Sequence, residues 1–356
     1  MSGVAPLFRA GDMVQNDSMP PAEPLPARDR PADHQVAGTG PSILICRPNT
    51  RLGNTLLMTP LLEEIETTLP NARVDVLSGC PAAHEVFQAF PGVKRVHQLP
   101  LRGVRHPLRY LLTLLRVRRT RYDVILDPSP NSWTSRFLTR WLAGRLKVGF
   151  ISPRKRRGVD VGIPFNAAPR HMGAYPVYLL RRALLDFDVD AARADDARLS
   201  IRLTDAERTF GKEQLARLIA PGHSGAVVAV ATHATGAKRF APEWWRRMIQ
   251  GLERRLPGAR VIEIRPPGGA ASLAELPGYA SRRVRQVAAV IEAARCFVCA
   301  DSGLMHLGAA TDTVTVGLFK VTLPALYAPR RGKSCAMTAR DDNPDAVAER
   351  IAQLLS

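Results

Sequence analysis

The feature that most restricts the fold is a short, unbroken apolar run that leads through a glycine turn into a helix-period pattern. Ile43-Leu44-Ile45-Cys46 offers no polar residue to either face. A strand of that kind must be covered on both sides, as in a parallel sheet. Arg51-Leu52-Gly53-Asn54 follows, and Leu57, Leu61 and Ile65 then recur four apart, flanked by Met58, Leu62 and Leu69. That spacing lines one face of a helix. The alternation continues, with strands expected at 73–77, 93–98 and 123–126 and helices at about 82–90 and 107–120. Strand and helix exchanging over short connections is the pattern of a doubly wound α/β domain.

Around 186–221 the pattern loosens, and Asp188, Asp190, Asp195 and Asp196 cluster. A second series then begins. Its strands are expected at 227–232, 261–264, 296–300 and 314–319, with helices at about 242–255 and 282–294 and a last one at about 345–354. The chain therefore reads as two similar α/β halves with a cleft between them. The expected organisation is a flexible leader over 1–41, rich in Pro (Pro20, Pro21, Pro24, Pro26, Pro31, Pro41), then an N-terminal half over 42–185. An interdomain segment over 186–222, a C-terminal half over 223–340 and a helix over 341–356 packing back on the N-terminal half complete it.

Composition limits the function classes. With 46% apolar residues in 356, the chain can bury a core, so it is not disordered as a whole. No apolar stretch approaches the roughly 18–20 residues of a bilayer span, and no basic start with an apolar h-region marks a secretory signal. Five Cys without regular spacing fit a reducing cytoplasm better than a disulfide framework. Fifty basic against thirty-two acidic residues leave a formal charge of +18, carried by forty-three Arg and only seven Lys. Such an excess points to an anionic partner: nucleic acid, a membrane surface or a phosphorylated substrate. Aromatic residues are only 6%, and no helix-turn-helix, zinc-finger or RNA-binding signature stands out, so nucleic acid is not the expected partner.

Ligands of open parallel sheets bind beyond the carboxyl ends of strands, and three loops stand there. In Arg51-Leu52-Gly53-Asn54-Thr55, Gly53 makes the turn and Asn54 is expected to cap the helix. In Thr232-His233-Ala234-Thr235-Gly236-Ala237-Lys238-Arg239, hydroxyls, a glycine and two adjacent cations suit a diphosphate. Where Arg supplies almost every positive charge, the compact ammonium of Lys238 is a good point charge for phosphate. In Asp301-Ser302-Gly303-Leu304-Met305-His306, Asp301 or Ser302 can cap the next helix. The N–H groups of Ser302, Gly303 and Leu304 suit a phosphate there, and a carboxylate at a strand end suits sugar hydroxyls.

Together these residues resemble glycosyltransferase family 9, the heptosyltransferase family of lipopolysaccharide synthesis. The resemblance runs through RLGNTLLMTPLLEEIETTLPNARVDVLSG, FPGVKRV, KRFAPEWW, RQVAAVIEAARCFVCADSGLMHLGAA and VTVGLF, spanning about 42–355. It implies a GT-B fold, two Rossmann-like domains with the nucleotide sugar held mainly by the C-terminal one. It implies inverting, metal-independent transfer of heptose from ADP-heptose to a lipopolysaccharide core precursor, with no cofactor beyond the donor substrate. By position, Lys238 binds the donor diphosphate, Ser302, Gly303, Leu304 and His306 line the phosphates, and Asp301 holds sugar hydroxyls. Thr232 and Thr235 join the donor side, and Arg51 and Gly53 the acceptor loop. The implied partners are a nucleotide sugar and an anionic glycolipid, in the cytoplasm or peripheral at the inner face of the cytoplasmic membrane.

Two departures matter. The family usually has Asp where this chain has Asn54, and that Asp resembles the base for the acceptor hydroxyl. An amide cannot take the proton, and a positioned base contributes roughly 10²–10⁴-fold. Asp127, ending the strand at 123–126, is a candidate substitute base or a cap for the turn at Pro128. Near the nucleobase, where relatives carry polar or acidic residues, this chain has Gly268-Gly269-Ala270-Ala271. Outside the loops, Arg102, Arg105, Arg109, Arg116, Arg118, Arg119 and Arg121 surround Leu108, Leu111, Leu112, Leu114 and Leu115. This is either a core-facing helix with a solvated Arg face or a docking segment for an anionic leaflet. Pro153-Arg154-Lys155-Arg156-Arg157-Gly158 is a second basic patch. Cys296-x-x-Cys299 lacks a partner pair for zinc and reads as core.

Overall fold

The computed structural model describes residues 40–101, 103–152, 155, 157–184, 196–268, 273–338 and 343–356. Nearly all of the expected leader lies outside the described residues, as do Arg102, Pro153, Arg154, Arg156, Asp188, Asp190, Asp195 and Gly269 to Ala271.

Two six-stranded sheets are present, and every strand pairing in them is parallel. The first contains β1 (Ser42–Arg47), β2 (Arg73–Ser78), β3 (Val93–Gln98), β4 (Tyr122–Asp127), β5 (Gly144–Ile151) and β6 (Val161–Pro164). Its order is β3-β2-β1-β4-β5-β6. The second contains β7 (Val227–Ala231), β8 (Arg260–Arg265), β9 (Gly278–Ala280), β10 (Cys296–Ala300), β11 (Val314–Phe319) and β12 (Cys335–Thr338). Its order, β9-β8-β7-β10-β11-β12 when taken from the opposite edge, repeats the first winding. Each sheet therefore has one switch point, at β1/β4 and at β7/β10, where successive connections leave to opposite sides and a crevice opens. The central strands Ile43–Cys46 and Cys296–Ala300 are buried throughout, which is why their sequences are unbroken apolar runs.

The first helical pattern is broken in two, Leu52–Leu56 and Thr59–Thr68, with Pro60 in the first turn of the second piece. Proline suits a helix start because its missing N–H has no partner there anyway. Of the expected interdomain segment, Asp205–Leu218 is a helix with a full capping box between Thr204 and Glu207, and it packs against helix Val284–Ala293. Arg285 ties this region to the first half. Its guanidinium donates to Glu207 at 2.5 and 2.6 Å and to the carbonyls of Ile201, Arg202 and Glu85.

The last helix, Pro344–Leu355, does not pack back on the N-terminal half as expected. Asn343 caps it, and Val347, Ala348 and Ile351 join Trp245 and Met248 of helix Pro242–Arg255 in one core. Asp345 also meets Arg254 at 3.0 Å. The physical reason is continuity. The helix follows β12 at the edge of the second sheet and covers the apolar face beside it.

Candidate functional site

At the carboxyl end of β1 the chain turns through Asn49, whose Oδ1 accepts the Arg51 N–H at 2.8 Å. Exposed Arg51 is the residue preceding helix Leu52–Leu56, and its carbonyl accepts from Thr55 N and Oγ1. Asn54 therefore lies inside the helix, half-buried, and is not its cap. No side chain caps this helix, and Asn49 fixes only the turn before it. Gly53 has a different reason to be glycine. A Cβ there would stand 2.6 Å from Cδ2 of His306. Facing it, a Cβ on Gly303 would stand 3.4 Å from the Gly53 nitrogen. The helices that leave the carboxyl edges of the two sheets thus meet at two glycines, bringing both switch points to one place.

Asp127, at the end of β4, is fully buried and occupied. Its Oδ1 accepts from Ser135 Oγ at 2.6 Å and Ser129 N at 3.2 Å. Its Oδ2 accepts from Arg136 Nε and Lys155 Nζ, each at 2.9 Å. A carboxylate has about four acceptor positions, so none is left for an acceptor hydroxyl. The substitute-base reading is corrected on that ground. The turn reading fits, because the Ser129 N–H closes the turn over Pro128. Lys155 is drawn inward with Asp127 and is 3% exposed, so it is no part of a surface patch. Arg47 donates to Ser129 Oγ at 2.6 Å, while its buried Nε has no partner among the described residues.

In the second half, Lys238 ends a short 3-10 turn, Gly236–Lys238, after β7. Its Nζ lies 2.6 Å from Oδ2 of Asp301, which follows β10 directly. Thr322 Oγ1, beyond β11, donates to the same oxygen. Asp301 is buried, whereas the Lys238 side chain keeps 31% of its surface exposed. Ser302 precedes helix Gly303–Ala309 in extended conformation, and its buried Oγ caps nothing and has no partner among the described residues. Leu304 is half-buried against the core. His306 is buried beside Gly53 and faces Tyr327 edge-on at 5.9 Å. Burial first pulls its imidazole down to about 4, with Lys238 adding to this and Asp301 opposing it. The ring is neutral at pH 7. Burial raises the Tyr327 hydroxyl, Asp301 raises it further, and Arg47 and Arg51 offset part of this. Tyr327 thus sits in the fields of groups from both halves.

Thr232 turns away from this cluster, its Oγ1 bonded to buried Glu263 at 2.8 Å, and Arg265 donates to that same carboxylate at 3.0 Å. Thr235 is exposed before the lysine turn, and its hydroxyl caps nothing. The structure therefore gathers Arg51, Gly53, Lys238, Asp301, Ser302, Gly303 and His306, and sends the Thr232 hydroxyl and Asp127 elsewhere. The sequence reading missed Arg47, Thr322 and Tyr327. Arg47 and Thr322 follow the rule that strand ends line the crevice, but Tyr327 carried no sequence signal. Trp244 and Trp245 pack with Phe240 behind the lysine turn. Cys296 and Cys299 are core residues, and burial pushes the Cys296 thiol up to about 12. Among the described residues, no three His, Cys, Asp or Glu side chains gather as a metal site would, and no helix is long and apolar enough to cross a membrane.

Residues 279–354, which include Asp301 to His306 and Tyr327, match the family model of glycosyltransferase family 9 (heptosyltransferase). The match covers the carboxyl-terminal part of the second sheet and the helix that follows it. The fold of the rest of the chain agrees with it. A glycosyl transferase family 9 structure from Veillonella parvula DSM 2008 is 15% identical over 89% of this chain and 90% of its own, with a TM-score of 0.69. E. coli heptosyltransferase WaaC with ADP is 19% identical over 88% of this chain and 99% of its own, with a TM-score of 0.67. E. coli ADP-heptose lps heptosyltransferase II is 18% identical over 88% and 98%, with a TM-score of 0.66. No curated protein matches the chain. Identities this low speak for the fold, which is the two-sheet GT-B arrangement expected from the resemblance. The matched segment supplies Asp301, Ser302 and His306, while Lys238 reaches them from outside it.

Proposed function

We propose that the protein transfers a sugar, heptose from ADP-heptose, with inversion and without a metal ion, onto an anionic lipopolysaccharide-core or related glycolipid acceptor. The donor is a substrate, and no resident cofactor takes part. The reaction is placed in the cytoplasm, peripheral at the inner face of the membrane. The observation that carries the reading is the Lys238–Asp301 pair, 2.6 Å apart at the switch point of the second sheet and opposite Gly53 of the first. In an inverting transfer the acceptor oxygen attacks the anomeric carbon as the bond to the diphosphate breaks. Negative charge then develops on the diphosphate. A half-exposed ammonium already in place stabilises that charge without reorganisation. The buried Ser302 hydroxyl, without a partner among the described residues, is a further donor to the same group, and Asp301 is left to accept from sugar hydroxyls.

One step lacks an owner. The acceptor hydroxyl must lose a proton, Asn54 cannot take it, and all acceptor positions of Asp127 are filled. That observation favours a second reading, a relative that binds the sugar nucleotide without transferring it. A panel of ADP-, GDP- and UDP-sugars, tested for binding and for transfer to core precursors, separates them. The first reading expects preferential ADP-sugar binding and donor consumption that requires the acceptor. Binding without consumption establishes the second, and preference for a GDP- or UDP-sugar contradicts the proposed donor.

A further inference from the structure

The helices that follow β3 and β4, Pro107–Arg119 and Trp133–Trp141, cover one face of the first sheet. Leu114, Val117, Leu138 and Leu142 pack inward together on Leu44 and Ile125. The remaining apolar residues point outward. Leu108 is 75% exposed, Leu112 64%, Trp133 66% and Phe137 68%, with Leu111 and Leu115 exposed beside them. Six of the nine exposed large apolar side chains among the described residues lie on these two helices. Leu108, Leu111, Leu112 and Leu115 fall at i, i+3, i+4 and i+7, so they form one stripe. A core-facing helix with a solvated Arg face would bury that stripe. This helix buries the opposite side.

Charge decides what the face meets. Neither helix contains an acidic residue, while Arg109, Arg116, Arg118, Arg119 and Arg140 are exposed on them. Between the helices runs a groove lined by Arg118, Phe137, Arg140, Trp141 and Lys147. Arg118 lies 4.5 Å over the Trp141 ring and donates to the Trp141 carbonyl, so its charge is held at the groove. Aliphatic and aromatic side chains beside a groove whose charged lining residues are all cations suit a surface with an apolar interior and a negative skin. Each helix also starts at the carboxyl edge of the first sheet, the edge from which helix Leu52–Leu56 leaves. Leu108 and Trp133, in the first turns, therefore stand nearest that edge.

We propose that these two helices form a single docking face for an anionic lipid bilayer. Leu108, Leu112, Trp133 and Phe137 enter the acyl boundary, and Arg118, Arg140 and Lys147 hold lipid phosphates in the groove. Neither signal alone anchors a protein stably, but apolar insertion and a basic cluster together do. The face deepens the functional reading by naming the surface where a membrane-borne acceptor arrives, and it rests on that reading only for the acceptor.

The test is flotation of the full chain with vesicles of phosphatidylcholine alone or mixed with phosphatidylglycerol. The full chain is expected to float with the mixed vesicles, at least about tenfold better than with the neutral ones, and less as salt rises. Leu108→Ser with Phe137→Ser, and separately Arg116→Glu with Arg119→Glu, are each expected to cut that binding at least about tenfold. Thermal unfolding should not change, because all four side chains are exposed. Vesicle binding that survives both double variants overturns the docking face. So does loss of a dimer on size exclusion with vesicle binding intact, which would assign the face to a second copy of the chain. Vesicle binding without donor consumption leaves the docking face standing and removes the transferase reading instead.

Discussion

Both sheets end their fourth strand at an aspartate held by a lysine, Asp127 with Lys155 and Asp301 with Lys238. The first pair is sealed, with the Asp127 side chain at 0% and the Lys155 side chain at 3% exposure. The second leaves the lysine open. The difference lies in the segment that leaves each strand. After β4, helix Trp133–Trp141 returns Ser135 and Arg136 onto the carboxylate and completes its shell. After β10, helix Gly303–Ala309 starts with a residue that has no side chain, and among the described residues only Thr322 joins Lys238 at the Asp301 carboxylate. Equivalent places in a fold thus become a structural anchor or a binding site, depending on one local shell.

Breaking the sealed pair should have the largest effect. Asp127→Ala leaves Arg136 and Lys155 buried without a counter-charge, a loss of about 3–5 kcal/mol in urea unfolding. Burial already draws Lys155 below its usual value, and Asp127 is the main group opposing this. A loss under about 1 kcal/mol would erase the contrast between the two halves.

The open pair carries a pH signature through His306. Its folded value is near 4 because of burial, whereas an unfolded histidine titrates near about 6.5. Between those values the unfolded chain binds the extra proton. The neutral ring's contribution is therefore complete above about pH 6.5 and is lost as pH falls toward 4, by about 2–3 kcal/mol. His306→Gln should flatten the stability profile over that window, and an unchanged slope would place the titration elsewhere.

The smallest effect belongs to Asn54→Asp. Position 54 lies half-buried near a helix start, where a carboxylate is worth about 0.3–1 kcal/mol. Stability should hold and transfer should stay level or rise. A large loss of activity in a folded variant would give Asn54 a role of its own.

Much of the fold was legible in the sequence where one face or one period dominates. The central strands and the helices at 107–119 and 242–255 show their apolar patterns plainly. The short edge strands β6, β9 and β12 do not, because half-buried segments of three or four residues hold too few alternations. Helix Asp205–Leu218 was hidden by its polar surface, although Thr204 and Glu207 spell its capping box. At the site, Lys238 and Asp301 could be singled out, but their pairing could not. Nor could the sequence tell that Asp127 is saturated, since its partners Ser135, Arg136 and Lys155 come from later elements. The outward turn of the Leu108 stripe was equally undetermined, because periodicity fixes that a face is apolar and not what covers it.

The most direct test sets the two lysines against each other in calorimetric titration with ADP, alongside thermal unfolding. Lys238→Ala should lose less stability than Lys155→Met, because its ammonium is partly solvated, and lose at least about tenfold in ADP affinity, the scale of a hydrogen bond to a charged group. Lys155→Met should lose stability and bind ADP within about twofold of the parent, an affinity difference well under 1 kcal/mol. A Lys238→Ala protein that binds ADP like the parent, or two variants that lose affinity equally, would contradict the assignment of the open pair to the donor.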